Sequence, residues 1–319
     1  MASRWTIGAL YAMLCGIWGS TWLAIRIGLQ GAPVFLAASL RFVVASVTLL
    51  ALAAVFRSKL PRNRTEWALV LLVGLVLFTA DYGLIYWGEG NGVESGLSAI
   101  LFATFPFQTA VFAHALLKKE RLSVQKLAGI ALGFLGVLLI FSGELQRSVV
   151  AALPMLSIVL AATCASISSV GVKRWGHDVD PIGFNAFAMG TGAIALAAVS
   201  LLAGEPWGVP SWPEGIGAIL YLALAGSVVT FVAYVWLLKR LEATTLSYIA
   251  FVTPIVAVLL GVGLASETLG GVAILGTAVT LVGIYLSTSK RAAAWIRGMI
   301  GAGVVSDEPA PADPPAGKR

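Results

Sequence analysis

Apolar residues run along this chain in long blocks, without the alternation of a half-buried strand or the single stripe of a surface helix. Ten stretches of about twenty residues are nearly free of charge: 5–25, 33–56, 66–87, 93–117, 123–142, 150–172, 181–203, 214–238, 243–265 and 269–289. A helix needs about 20 residues to cross the apolar core of a bilayer, roughly 30 Å thick. Inside lipid a helix also satisfies its own backbone polar groups. The pattern therefore predicts an all-α membrane protein with ten transmembrane helices. Short connections collect the turn formers and charges, as in Arg57 to Arg64 with Pro61, or Gly204 to Pro213 with its three prolines and two tryptophans.

The blocks repeat. Pro106 to Gly136 and Pro254 to Gly283 share an order of residues in which Leu122, Gly129 and Gly136 meet Leu269, Gly276 and Gly283 at a constant offset of 147. Pro106 meets Pro254, and Pro33 meets Pro181. The expected organisation is a first five-helix repeat over 5–142, a second over 150–289, and a cytoplasmic, largely disordered tail over 290–319. Because each half has an odd number of helices, the second enters the membrane upside down. Inverted repeats of this kind occur in secondary transporters, with the substrate site where the repeats meet. The resulting expectation is a bundle around a central cavity that works by alternating access.

Composition agrees with lipid as the solvent. The 319 residues are 59% hydrophobic and 11% charged, with a mean hydropathy of +0.92. A soluble domain is about 45–50% apolar and about 25% charged. The net charge of +6 has a topological cause. With the N-terminus inside, the connections after helices 2, 4, 6 and 8 and the two ends hold 18 of the 21 basic residues. Only Arg26, Arg41 and Arg147 fall to the outer half. That asymmetry places both termini in the cytoplasm and removes the need for a nucleic-acid partner. The implied partners are the lipid bilayer and a small-molecule substrate, in a bacterial-type inner (cell) membrane. Cys15 and Cys164 both lie in apolar runs, so no disulfide framework is expected. The first run is too long for a signal peptide and lacks a small-x-small exit.

Several motifs give a family resemblance. They are Trp18-Gly19-Ser20-Thr21, Leu40-Arg41-Phe42, and Ser98 to Pro106 followed by Lys119-Glu120-Arg121-Leu122-Ser123. The second half adds Ser247-Tyr248, Thr253-Pro254 and Glu267-Thr268-Leu269. In this order the chain resembles EamA-type members of the drug/metabolite transporter superfamily over about residues 5–289. The resemblance implies a ten-helix 5+5 bundle with a central cavity, and export of a small amphipathic metabolite such as an amino acid.

Candidate site residues follow from polar groups inside the blocks. Arg41 and Asp81 lie at similar depths on helices 2 and 3, where a lone charge costs about 2.5–3.5 kcal/mol to insert. They suit either a structural salt bridge or substrate binding, with Arg41 meeting a carboxylate, or Asp81 a proton or ammonium group. Trp18 and Trp22, and Phe78, Tyr82 and Tyr86, recur every four residues and form aromatic stripes. Such stripes line a cavity or simply pack. Trp18 and Tyr82 are the cavity candidates. Gln108, Asn185, Tyr234 and Tyr248 complete the substrate-binding set, each with helix–helix hydrogen bonding as its bland alternative. Pro106 and Pro254 interrupt equivalent helices and are candidate hinges.

Other chemistry is not encoded in recognisable form. There is no G-x-x-x-x-G-K-[ST] loop for nucleotide, no G-x-S-x-G elbow, and no metal-ligand spacing among two distant histidines and two cysteines. No cofactor and no catalytic residue are expected. An intramembrane enzyme would need a converging nucleophile and base. A membrane-embedded sensor would need an output domain larger than the tail.

Overall fold

The computed structural model describes residues 4–117, 124–145, 149–267 and 270–288, and every regular element among them is helical. Ten helical runs follow one another. They are α1 (Arg4–Gly28), α2 (Val34–Phe56), α3 (Arg64–Gly90), α4 (Ser95–Leu116), α5 (Val124–Leu145), α6 (Val149–Trp175), α7 (Pro181–Leu202), α8 (Glu214–Leu238), α9 (Ala243–Ala265) and α10 (Gly271–Thr288). Eight are long and apolar enough to cross a membrane, whereas α5 and α10 carry the shorter apolar stretches Leu127–Ile140 and Ile274–Gly283. The tail over 290–319 and the Lys119 to Ser123 motif lie outside the described residues, as do Thr268 and Leu269.

Local chemistry sets the helix starts. Asn63 Oδ1 accepts from Glu66 N at 2.9 Å and begins α3, while Asp180 Oδ1 accepts from Ile182 N and Gly183 N at 2.9 and 3.2 Å and begins α7. The start of α2 has only Pro33 before it, which offers no side-chain cap. Its free N–H groups at Phe35 and Leu36 instead donate to Glu205, both at 2.9 Å, from a connection 170 residues away. A carboxylate at that position also meets the positive end of the helix dipole.

Four of the helices are irregular, which their apolar pattern does not announce. α3 contains the π-helical stretch Val73–Asp81 and α8 the stretch Leu224–Val229. Within them Thr79 Oγ1 donates to Gly74 O, and Ser227 Oγ to Leu222 O, each at 2.9 Å and each five residues back. α4 breaks between Phe102 and Phe105, and α9 breaks at Tyr248. The α4 break falls just before Pro106, which sits in the first turn of Phe105–Leu116 where its missing N–H costs nothing. Pro254, by contrast, lies inside the continuous stretch Ile249–Ala265, six residues beyond the break.

The helices wear their polarity inward. Val47, Leu138, Ile194 and Leu259 are exposed, whereas Arg41, Asp81, Asn185 and many Ser and Thr hydroxyls are buried. Two helix pairs frame the bundle, α2 with α7 and α5 with α10. Ser39 and Ser46 of α2 donate to Ala193 O and Ala186 O of α7 at 2.9 and 2.8 Å. The α5–α10 seam runs on glycine: a Cβ added to Gly276 would stand 2.6 Å from Gly136 O, and one on Gly283 2.7 Å from Gly129 O. Small residues that let backbones touch are how helices associate in lipid, where no hydrophobic force acts between them.

Candidate functional site

Six helices enclose a central cavity of about 700 Å³, counting its open mouth. Its walls come from α1 (Trp18, Thr21, Trp22, Ile25), α3 (Leu77, Asp81, Tyr82, Ile85) and α4 (Phe102, Phe105). The opposite walls come from α6 (Ala165, Ser169), α8 (Phe231, Tyr234) and α9 (Leu246, Ile249, Ala250, Thr253).

The aromatic rings interlock around this space. Trp18 packs on Phe231 and Tyr234 with centroids 5.4 and 5.3 Å apart, and Trp22 packs on Phe102 at 5.4 Å. Trp18 Nε1 donates to Thr230 Oγ1 at 3.1 Å, which joins α1 to α8. The Tyr234 and Ser169 hydroxyls share a hydrogen bond of 2.8 Å, which joins α8 to α6. Hydrogen bonds thus fix Trp18 and Tyr234, two of the rings that line the cavity. Asp81 closes the π-helical stretch of α3, and Leu77, Asp81, Tyr82 and Ile85 line the cavity from this helix. Asp81 is buried, and its Oδ1 has no hydrogen-bond partner.

Arg41 does not pair with Asp81. Among the described residues the one ion pair is Arg26 with Glu267. The fully buried guanidinium of Arg41 turns toward α8, where Nε donates to Ser227 Oγ at 2.9 Å and Nη2 to Gly226 O at 3.1 Å. It also lies over the Tyr82 ring, 4.6 Å from its centre. In place of a salt bridge the guanidinium meets two groups of the π-helical stretch of α8: Gly226 O, which also accepts from Thr230 Oγ1, and Ser227 Oγ, which donates to Leu222 O. Close approach is possible there because position 226 is glycine: a Cβ would stand 2.8 Å from Thr21 Cγ2 and 3.5 Å from Arg41 Nη2.

The structure brings Trp18, Asp81, Tyr82 and Tyr234 together on the cavity, with Arg41 behind Tyr82. Three other candidates stand apart from the lining. Gln108 donates to Thr104 Oγ1 and Val159 O at 3.1 and 3.2 Å, tying α4 to α6. Asn185 donates to Pro181 O and Phe231 O at 2.8 and 3.2 Å, tying α7 to α8. Tyr248 packs at the α9 break beside Ala103 and Phe107. Phe102, Phe105, Ser169, Phe231 and Thr253 line the cavity without having been singled out, since an apolar or hydroxyl residue in an apolar run carries no signal of which way it faces.

One end of the bundle is closed by a polar cluster. Glu267, just beyond α9, pairs with Arg26 of α1 and accepts from Ser95 Oγ, Ser95 N and Gly96 N of α4 at 2.6, 3.1 and 3.0 Å. Burial on its own would raise the Glu267 carboxyl, but the Ser95 hydroxyl, the two backbone N–H groups and Arg26 together hold it below its ordinary range.

Comparison with known proteins settles the family. The model of the EamA-like transporter family matches residues 6–142 and again 152–289. This chain belongs to the EamA-like transporter family. The EamA-like transporter is 33% identical over 295 residues to the uncharacterized inner membrane transporter YedA of Escherichia coli (strain K12), covering 89% of this chain and 92% of that one. It is 28% identical over 276 residues to the uncharacterized transporter YoaV of Bacillus subtilis (strain 168), covering 85% and 93%. It is 27% identical over 289 residues to a probable amino-acid metabolite efflux pump of Escherichia coli (strain K12), covering 88% and 94%. A crystal structure with 20% sequence identity shares the fold, with a TM-score of 0.69 over 90% of this chain and 98% of its own.

Proposed function

We propose that this EamA-like transporter is a secondary transporter of the inner membrane that exports a small amphipathic metabolite by alternating access. The carrying observation is the cavity itself, whose walls come in matched pairs from the two halves: α1 with α6, α3 with α8, and α4 with α9. In this reading all ten helices cross, as two inverted five-helix repeats over 5–142 and 150–289. Support comes from the family model, which matches twice, and from three pairs spaced 148 residues apart, Pro33 with Pro181, Thr79 with Ser227 and Pro106 with Pro254. The basic residues put both termini in the cytoplasm, so the Arg26–Glu267 cluster closes the outer end. Trp18, Asp81, Tyr82 and Tyr234 contact the substrate, with Arg41, Gln108, Asn185 and Tyr248 supporting the helices that carry them. The breaks of α4 and α9 near Pro106 and Pro254 supply the bends about which the halves move. Similarity to a probable amino-acid metabolite efflux pump makes amino acids the first compounds to try.

Efflux of a labelled metabolite panel from proteoliposomes tests this reading, with and without a pH gradient. At least one compound should leave faster than from protein-free vesicles, and an imposed gradient reports proton coupling. A protein that reconstitutes in folded form yet moves no compound of the panel under either condition would sink the proposal.

A further inference from the structure

The charges and rings at the cavity are not neutral about what enters. Asp81 is the one carboxylate on the described lining, and neither Lys, Arg nor His lines it. Its Oδ1 is buried without a hydrogen-bond partner, and a carboxylate oxygen in that position lacks the donor that burial normally demands. Arg41 does not supply one: its guanidinium stands over the Tyr82 ring with Nε and Nη2 donating to Ser227 and Gly226, forms no ion pair with Asp81, and leaves its own buried Nη1 without a partner. The remaining walls are dominated by Trp18, Trp22, Tyr82, Phe102, Phe231 and Tyr234. Aromatic faces carry negative potential and attract cations. An anionic group would find the opposite: it would be desolvated against ring faces, next to a carboxylate, with no basic side chain on the lining to pair with. The Thr21 hydroxyl is already donated to Trp18 O at 2.7 Å.

We infer that the cavity takes monovalent organic cations with an aromatic or branched apolar body, in preference to zwitterions and anions of the same shape. The cationic centre sits at Asp81 and the body lies among the rings of α1, α4 and α8. This inference rests on the transport reading of the same cavity and narrows its substrate class. An amino acid presents the right ammonium group but also a carboxylate for which the lining has no counter-charge.

The test uses three ligands that share a phenyl body and differ in charge: benzyltrimethylammonium, phenylalanine and hydrocinnamate. Each is titrated calorimetrically into the purified full-length protein. Benzyltrimethylammonium should bind at least about tenfold more tightly than either of the others, a gap of about 1.4 kcal/mol. Asp81→Asn keeps the shape of the side chain and removes its charge, so it should weaken cation binding by about tenfold or more while the thermal melt stays close to wild type. The inference is overturned if phenylalanine or hydrocinnamate binds as tightly as the cation, if none of the three binds, or if folded Asp81→Asn binds the cation unchanged. Should Asp81→Asn fail to fold, the order of the three ligands on the wild-type protein decides alone. Proteoliposome flux separates this inference from the reading beneath it. Efflux of phenylalanine without efflux of the cation overturns the cation preference and leaves the transporter standing. Tight cation binding with no flux of any metabolite sustains the ligand class and removes the transport function.

Discussion

At the scale of single residues, Glu267 shows how one buried carboxylate can hold three helices. It is reached by Arg26 from α1 and by two N–H groups and a hydroxyl from the start of α4, while its own backbone follows α9. These contacts favour the charged form, so its carboxyl loses its proton more readily in the folded protein than in the unfolded chain. The stabilisation is therefore complete above the ordinary glutamate value of 4.5 and is lost as pH falls through the lower folded value. Glu267→Gln should cost about 1.5–3 kcal/mol near neutral pH, the range for hydrogen bonds to a charged group. The gap in melting temperature between variant and wild type should close as the buffer is taken below about pH 4. A gap that stayed constant down to acid pH would show that the charge contributes nothing. Arg41 teaches the complementary lesson. Depth along two helices matched it to Asp81, but depth is one coordinate of three, and the guanidinium turns to the oxygens of Gly226 and Ser227.

At the scale of elements, the departures from ideal helix matter most. The π-helical stretches of α3 and α8 place Asp81 on the cavity and the Arg41 acceptors beside it. Their hydroxyl signature, Thr79 and Ser227 at the repeat spacing, was present in the chain but is only recognisable once the carbonyl five residues back is known to accept it. Glycine spacing on α5 and α10 was legible as part of the repeat, whereas the mutual packing of those two helices was not. At Gly136 a Cβ would stand 2.5 Å from Gly276 O and 2.6 Å from Thr280 N, both backbone atoms that cannot swing aside. Gly136→Val should therefore push α5 and α10 apart and cost about 1–3 kcal/mol, the usual range for overpacking. A detergent melt reads this directly. Gly8→Val is the control, since nothing lies within 4 Å of the corresponding Cβ, and an equal loss from both would mean the seam carries no special weight.

At the scale of the whole molecule, topology is the property to test. If the basic residues set orientation, cysteines or reporter fusions at Arg62, Lys119 and Lys239 should all report the cytoplasmic side, and one near Gly208 the outside. Between Arg62 and Lys239 lie six further crossings in the ten-helix reading, so opposite reports from those two positions would break both the even count and the inversion. α1 packs on α9 and α6 on α4, the pairing expected if one half is inverted relative to the other, so that the first helix of either half meets the fourth helix of the other.

What the chain determines by itself is set by solvation and covalent order. Long apolar blocks must become helices in lipid, loop charges bias insertion, and a repeated order of residues implies repeated structure, all without knowledge of any contact. Trp18, Tyr82, Asp81 and Tyr234 were visible as polar or aromatic groups in those blocks, because such groups are costly there and rarely idle. Their convergence on one cavity was decided by the tertiary structure, since which side of a uniformly apolar helix faces inward depends on its neighbours. The same holds for the separation of Arg41 from Asp81 and for the inward turn of Phe102, Phe231 and Ser169. In an aqueous protein the polar stripe of a helix marks the side facing water. In lipid that marker is erased, and only packing restores it.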